Sequence, residues 1–442
     1  MEALAETKSV YLEEFEGRGA AGPQWLSALH RRGIDAFEAR GFPGPREEAW
    51  RKMKLRPVTD DHFRAVEAAG TVPQALAERL GDVGEGYRLV FVDGHFDAGL
   101  SDLDDLPAGL TVTPISAYSD AAPQRLAELL GARADIDGHP FAALNTAFFV
   151  DGAFVHAARG ALVEKPVIVV HVTTPDADRR AVYPRLAVRV EPGAEVRVVE
   201  RYIGDDQAGT LICPVSELAA DEDAVLDYSR LQEDGIASMN IGTVNLAAAR
   251  NTSVRGAFVG TGACIARLDL TADLEGPGGE IDCNGIYLTD GKQFQDYHNW
   301  FNHRAEHCYS RQRFKGILQG RSETVFDGLV KVFEGAQKTD AEQENRNLVL
   351  GKMALAHSNP RLEIFADDVR CTHGSTVGEL DEQALFYLRT RGIGARGAKG
   401  MLTLAFAGEI VDMFKVPGVR DHVRRVLMER LAVEDASIGD IL

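Results

Sequence analysis

The stretch "FKGILQGRSETVFDGLV", residues 314–330, contains the same short pattern twice. Phe, Gly and two aliphatic residues occur in "FKGIL" (Phe314 to Leu318) and return twelve residues later in "FDGLV" (Phe326 to Val330). In a β-solenoid, a residue type returns at the same corner of successive coils because each coil must stack on the one before it. The repeat favours a β-helix, although a jelly roll, which also contains many short strands, stays open as an alternative.

Short β-rich runs surround this repeat, from Tyr87 to about residue 377. They include "VIVVHVTT" (167–174) and "RLAVRVEPGAEVRVVERYI" (185–203), and Gly, Asp and Asn separate them. The intervals are too short for the helical crossovers that join parallel strands in a doubly wound sheet. We therefore predict a mainly β fold whose core, residues 85–377, is a β-helix.

The two flanking regions, residues 1–84 and 378–442, have helical periodicity. In the first, "WLSALHRRGIDAFEARG" repeats apolar residues at near-helical spacing and ends on Gly41. In the second, Asp381 is a predicted N-cap, and Leu402, Phe406, Ile410 and Phe414 recur every four residues. This pattern predicts a C-terminal bundle that caps the solenoid and could dock a partner.

Composition limits the classes of function. A net charge of −19 argues against a protein that binds a nucleic-acid backbone, since such proteins carry basic patches. None of the five cysteines is spaced as C-x-x-C, so no zinc knuckle, self-contained iron–sulfur motif or disulfide framework is indicated. The acidic N-terminus differs from a signal peptide, and no run reaches the length of a membrane helix. We expect a soluble, cytoplasmic protein that makes no membrane contact.

The strip "DDVRCTHGSTVG", Asp367 to Gly378, places Cys371 and His373 two residues apart on a predicted strand. Both side chains can then point to one face, about 7 Å apart. Thiolate and imidazole are ligand types found at iron–sulfur clusters. A thiol-protease pairing would also need an orienting group and oxyanion donors, for which no local signature exists. From the residues alone, a buried thiol beside a capping histidine remains open as well.

Two other motifs favour ordinary structure. "HNWFNHRAEHC" concentrates His298, His303, His307 and Cys308, but on a strand only His303 and His307 would share a side, so hydrogen-bonded structural histidines are the simpler interpretation. "GIGARG" (392–397) matches a dinucleotide fingerprint but follows a predicted helix rather than a strand, so a Schellman ending at Gly392 is favoured. With no P-loop present, we expect no ATP site.

A β-helical carbohydrate-active enzyme is a further alternative from a different class. It would need two carboxylates that face each other across a substrate. Asp367 and Asp368 are adjacent, so on a strand they would diverge, and adjacent acids usually mark a turn. This interpretation is therefore disfavoured.

Five segments together resemble the SufB/SufD family of the SUF iron–sulfur cluster assembly machinery. The best marked is "RLEIFADDVRCTHGSTVGELDEQALFYLRTRGI" (361–393), whose Cys-Thr-His-Gly is similar to the SufD form. The others are "GAQKTDAEQENRNLVL" (335–350), "SRQRFKGIL" (310–318), "FAALNTAFFVDGA" (141–153) and "REEAWRKMKL" (46–55). The resemblance therefore spans most of the chain.

The resemblance implies a right-handed parallel β-helix between two helical regions, and a non-enzymatic scaffold role. It implies a SufB-like partner joined through the β-helices and a SufC-like ATPase docked on the C-terminal domain, where Leu385, Phe386, Tyr387, Arg391 and Phe406 are candidate contacts. His373, and with it Cys371, would then be cluster-site residues at the SufB interface.

Under this resemblance, a transient iron–sulfur cluster would be shared with SufB. A SufB-like scaffold that binds the cluster alone, a homodimer of the isolated chain and participation of a flavin all stay open.

Overall fold

The computed structural model describes residues 2–19, 22–44, 46–60, 62–121 and 123–431. Two long, mainly parallel sheets face each other and form a parallel β-solenoid of about 8 turns, with helices at both ends of the chain. The predicted mainly β fold with a parallel β-helix is confirmed, and the jelly roll is wrong. Within the described residues, no helix is both long and apolar enough to cross a membrane.

The strands alternate between the two sheets along most of the solenoid. In chain order they are β1 Arg64–Ala65, β2 Tyr87–Val92, β3 His95–Phe96, β4 Leu110–Pro114, β5 Ala153–Ala157, β6 Val167–Thr173, β7 Arg180–Val182, β8 Arg185–Val190, β9 Glu195–Gly204, β10 Leu211–Ile212, β11 Val215–Ala220, β12 Val225–Glu233, β13 Met239–Ala248, β14 Ser253–Gly260, β15 Ile265–Leu274, β16 Glu280–Thr289, β17 Phe294–His303, β18 Tyr309–Leu318, β19 Glu323–Val332, β20 Asp340–Val349, β21 Leu355–Ile364 and β22 Arg370–Gly378.

The helices lie mostly outside this sheet region. They are α1 Glu2–Arg18, α2 Gln24–Arg40, α3 Arg56–Thr59, α4 Gln74–Glu78, α5 Ile115–Ala121, α6 Pro123–Ala127, α7 Pro140–Phe148, α8 Glu382–Thr390, α9 Ala395–Val411 and α10 Pro417–Arg430. Three 3-10 turns cover Glu48–Trp50, Arg79–Gly81 and Pro175–Ala177. Residues 432–442, the end of the predicted C-terminal domain, lie outside the described residues, and the predicted domain boundaries stay a prediction.

The twelve-residue repeat does not correspond to one coil. "FKGIL" lies on β18 and "FDGLV" on β19, which belong to opposite sheets. The rings of Phe314 and Phe326 meet in the interior with their centroids 5.5 Å apart. Stacked residues are much further apart in sequence, since Gln343 lies above Gln312 and 31 positions later. The repeat indicated a solenoid correctly, but it marks two walls that face each other rather than successive coils.

Three apolar cores hold the molecule together. The first fills the interior of the solenoid with side chains that alternate along the strands, as period-two strand geometry requires. The second lies between the outer face of the larger sheet and the helices α1, α2 and α7. The third lies between the outer face of the smaller sheet and the helices α9 and α10. The helices therefore cover both outer faces of the sheets, and helix α7 of the second core falls inside the range predicted to be β-helix.

The C-terminal helices pack on the side of the solenoid rather than capping it. Helix α9 contacts β16 and β18, and Lys315 Nζ donates to Phe406 O at 2.7 Å and pairs with Glu409. On α10, the buried His422 Nε2 lies 2.8 Å from Glu233 Oε1. The expectation of an end cap is wrong, because the apolar faces of α9 and α10 match the outer face of the smaller sheet.

Local capping signals were predicted correctly. The Asp381 side chain accepts hydrogen bonds from the backbone N–H groups of Gln383 and Ala384, so it is the N-cap of α8. At the other end, Gly392 has φ +90°, and the Ile393 N–H donates to Leu388 O at 3.2 Å. This is the Schellman geometry. "GIGARG" therefore connects two helices, which is the context that argues against dinucleotide binding.

Candidate functional site

The last coil of the solenoid, β21 and β22, has no coil stacked on it. These strands end the hydrogen-bonded order of the two sheets, and no described strand pairs with their outer edges. The backbone groups on those edges, and the side chains that point into the end of the interior, are therefore accessible. Free strand edges and accessible interior side chains are both unusual, and a free edge can pair with a strand of another chain.

Cys371 and His373 lie on this last coil, on the interior-facing side of β22. Cys371 is in register with the buried Ala341 and packs against the interior core while staying half exposed. His373 is in register with the buried Gln343 and is itself exposed. The predicted common face is thus present. Both side chains lie at the mouth of the solenoid, so the interpretation as a fully buried thiol with a capping histidine is wrong.

The two side chains have different electrostatic surroundings. Partial burial raises the pKa of the Cys371 thiol, and the nearby charge of Asp340 adds to that rise. The thiolate, rather than the thiol, is the form of cysteine that binds metals. Within the described structure, His373 makes no side-chain hydrogen bond, so its ring nitrogens are available to a partner.

Cys371 and His373 are two candidate metal ligands, and no third candidate among the described residues forms a group with them. Among the described residues, no group of three or more His, Cys, Asp or Glu side chains could hold a metal ion. Common iron–sulfur clusters take about four protein ligands. Cys371 and His373 alone would therefore be too few to hold such a cluster.

Exposed apolar side chains surround the same opening. Phe365 and Val377 are 59% and 53% exposed, and the Nζ of Lys331 lies 5.7 Å from the ring centroid of Phe365. The complete rim is Met353, Leu355, Ile364, Phe365 and Val377. Sequence reasoning missed these residues because they look like ordinary strand residues, and only their place on the terminal coil exposes them.

Of the three histidines in "HNWFNHRAEHC", two are buried beside polar partners and the third is exposed. His298 is buried and its Nε2 lies 2.9 Å from Asp296 Oδ1, whereas the buried His303 Nε2 contacts Ser310 Oγ at 2.8 Å. His307 is exposed in the turn after β17, where its φ is +56°. The prediction that His303 and His307 share a side is wrong, because the strand ends at His303. All five cysteines, including Cys308, are free.

The candidate docking residues of the C-terminal region separate into two groups. Phe386 and Tyr387 are 69% and 56% exposed on α8, a helix that buries none of its residues. Leu385 on the same helix is half-buried, and the Arg391 guanidinium lies 5.2 Å from the Tyr387 ring centroid. Phe406 is different, because it is on α9, packs against the third core and carries Lys315 over its ring.

Comparisons with known proteins agree with the geometry. A family model described as "SUF system FeS cluster assembly, SufBD core domain" matches residues 171–406, and one described as "SufBD protein N-terminal region" matches residues 9–169. The chain is 30% identical over 400 residues to an iron–sulfur cluster assembly SufBD family protein of Synechocystis sp., covering 88% of each. It is 28% identical over 431 residues to the iron–sulfur cluster assembly protein SufD of Escherichia coli, covering 97% of each. The SufD of Bacillus subtilis is 26% identical over 442 residues, which cover 95% of this chain and 97% of that protein.

The structural role of His303 predicts a pH effect on stability. Burial lowers the pKa of His303 from 6.5 to about 4, and the charge of Arg311 adds to that effect. Since the folded chain holds the neutral ring, its contribution is complete above pH 6.5 and is lost as the pH falls to about 4, by up to about 3 kcal/mol.

Urea denaturation of wild type and His303→Gln between pH 7 and 4 measures this contribution. We expect a shallower loss of stability on acidification in His303→Gln, whereas the exposed control His307→Gln should keep the wild-type slope. Equal slopes in all three proteins would contradict the assignment.

Proposed function

The chain belongs to the SufBD family of SUF-system iron–sulfur cluster assembly proteins, and we propose that it acts as a SufD-like, non-enzymatic scaffold subunit. The observation that carries this proposal is the position of Cys371 and His373 at the open end of the solenoid. The two side chains form half of a ligand set at a surface built for another chain. The cluster is cargo, assembled between two proteins and passed on.

The partner at this end is a SufB-like paralogue. It would extend both sheets by pairing with the free edges of β21 and β22 and would cover the apolar rim. A related solenoid suits this position because its coils have the same strand spacing. The partner would then bring the missing ligands opposite Cys371 and His373.

A SufC-like ATPase is the proposed source of energy, docked on α8. Helix α8 presents Phe386 and Tyr387 to solvent, whereas α9 and α10 are fixed to the solenoid by buried contacts. Force applied at α8 would therefore be transmitted to the terminal coil, since the chain runs directly from β22 into α8. Leu385 and Arg391 belong to the same docking surface, and Phe406 would act by supporting α9.

The other candidates have less support. The interpretation as a carbohydrate-active enzyme is disfavoured because the chain belongs to the SufBD family. In addition, Asp367 and Asp368 lie in an exposed turn. A SufB-like scaffold that binds the cluster alone would have to complete the ligand set from its own side chains. A homodimer of the isolated chain would use the same free edges, with a second copy in place of the SufB-like chain. The part played by a flavin and a cytoplasmic location stay predictions.

Replacement of His373 tests the proposal. In a complex co-expressed with its SufB-like and SufC-like partners, His373→Ala should lose most of the cluster formation, because one ligand of a shared set is removed. Anaerobic reconstitution followed by visible absorption measures the cluster, and gel filtration checks that the complex is intact. The control is His307→Ala, which changes an exposed histidine of a side turn. Wild-type cluster formation in an intact His373→Ala complex would exclude this residue from the mechanism.

The docking surface on α8 is tested by point substitutions. Deletion from residue 380 would also uncover the third core, so it cannot separate docking from folding. Phe386→Ser combined with Tyr387→Ser should weaken binding of the SufC-like ATPase at least tenfold, because two exposed aromatic contacts are lost. Calorimetry measures the affinity.

The control for this test is Met413→Ser, which changes another exposed apolar side chain of the C-terminal region. Unchanged binding by the double variant, or equal weakening by Met413→Ser, would mean that the docking surface lies elsewhere.

A further inference from the structure

Amide side chains line the interior directly beneath His373. On the smaller sheet, Gln312 is in register with Gln343, and Gln343 is in register with His373 on the terminal coil. All three positions face the interior, since strand side chains alternate with period two. Across the interior, on the larger sheet, Asn299 is in register with Gly328. This set of amides (Gln312, Gln343 and Asn299) is buried in the two coils next to the site.

The amide set has unused hydrogen-bonding atoms. Gln343 Nε2 donates to Gln312 Oε1 at 3.1 Å, and this leaves Gln343 Oε1 without a partner. Gln312 Nε2 and both amide atoms of Asn299 are unpaired as well. Buried polar atoms are almost always hydrogen-bonded, and each one left unpaired costs about 1–3 kcal/mol. Two of these four atoms, on Gln343 and Gln312, lie in register below His373, and the two on Asn299 lie across the interior, which indicates a role that the isolated chain does not complete.

Gly328 makes room for the amide of Gln343. A Cβ at position 328 would lie 2.3 Å from Gln343 Nε2, so any larger residue would displace this side chain. The room beside Gly328 lets the Gln343 amide lie in the interior, one coil below His373. Neighbouring strands are about 4.8 Å apart, so side chains in register on the same face are within hydrogen-bonding reach of each other.

The next interior-facing residue of β20, Asn345, has no unpaired amide atom. Asn345 is in register with Ser375, and its Nδ2 donates to Tyr287 Oη at 3.0 Å and to Phe314 O at 3.2 Å. Its Oδ1 accepts from Asn347 Nδ2 at 2.7 Å. Both amide atoms of Asn345 therefore have hydrogen-bond partners within the solenoid. Three buried amides lie on β20 below the terminal strand, Gln343, Asn345 and Asn347, and of these the one under His373 keeps a free acceptor.

We propose that Gln343 is a positioning residue for His373, an inference that rests on the proposed function. In the described structure of the isolated chain these two side chains are not hydrogen-bonded. When the SufB-like partner covers the terminal coil, Gln343 Oε1 accepts a hydrogen bond from the inward ring N–H of His373, and Gln312 holds the Gln343 amide in that orientation. When a neutral histidine donates from one ring nitrogen, the other nitrogen is unprotonated. The outward nitrogen of His373 then presents its lone pair to the cluster at the partner interface. Partners of this kind fix the tautomer and orientation of ligating histidines.

The test replaces the amide by an apolar side chain of similar length, Gln343→Met, in the full chain assembled with its co-expressed SufB-like and SufC-like partners. Nitrogen-15 spectra of the histidine rings identify the neutral tautomer of His373, whose signal is assigned by its loss in His373→Ala. We expect a single tautomer in wild type and a mixture in Gln343→Met. Cluster formation in the co-expressed complex should slow by about tenfold, within the range seen for partners of metal-bound histidines.

Two further variants separate positioning from packing. Gln343→Glu keeps an oxygen acceptor under His373 and should restore the single tautomer. Asn345→Leu removes an equally buried amide of the same strand and should leave the His373 tautomer unchanged, whatever it costs in stability. If Gln343→Met does not fold, the wild-type spectrum still decides, because a tautomer mixture there overturns the proposal and a single tautomer supports it.

The outcomes also separate this inference from the proposed function. A single tautomer and wild-type cluster formation in Gln343→Met, together with loss of the cluster in His373→Ala, would overturn the positioning role alone. Wild-type cluster formation in His373→Ala would overturn the proposed function itself.

Discussion

Coils of the solenoid stack in parallel, and this stacking determines how each part of the molecule is completed. Each strand satisfies its backbone N–H and C=O groups with the coils below and above it, so the two ends of the stack need a separate solution. At the start of the solenoid, β3 and β4 pair antiparallel with β2 and β5 and close both sheets. At the other end, no strand of the described residues pairs with the outer edges of β21 and β22, and an apolar rim is exposed. The molecule therefore has one closed end and one end suited to a partner.

The stacking of coils also explains where the candidate ligands, Cys371 and His373, lie. Inside the solenoid, a side chain is covered by the coil above it, so Cys283 is fully buried and its thiol has a pKa well above the ordinary value. Cys371 and His373 occupy equivalent interior-facing positions but have no coil above them. A single structural change, the end of the stack, leaves positions that lie in the core elsewhere in the solenoid partly or fully exposed. The helices leave this end uncovered because their apolar faces pack on the sides of the sheets.

Local signals in the sequence predicted local structure well. The N-cap at Asp381 and the Schellman ending at Gly392 depend on a few neighbouring residues, and both are as expected. The solenoid was also predicted, but its period was not, because Phe314 and Phe326 resemble each other through contact across the interior.

What could not be predicted depends on distant parts of the chain. Nothing in "RLEIF" distinguishes Phe365 from a core residue, since its exposure follows from being on the last coil. The free oxygen of Gln343 is visible only once register places it under His373. The two kinds of candidate ligand, a thiol and an imidazole, could be identified from Cys371 and His373 in the sequence alone. The surface that completes the site required the fold.

The proposed function requires another protein to complete the open end of the solenoid. The affinity of this chain for its SufB-like partner when the rim carries a charge, as in Val377→Asp, tests this requirement. We expect binding at least tenfold weaker, whereas Leu162→Asp, at a side chain 72% exposed near the closed end, should bind as wild type does. Wild-type affinity in Val377→Asp would mean that no partner binds at this rim.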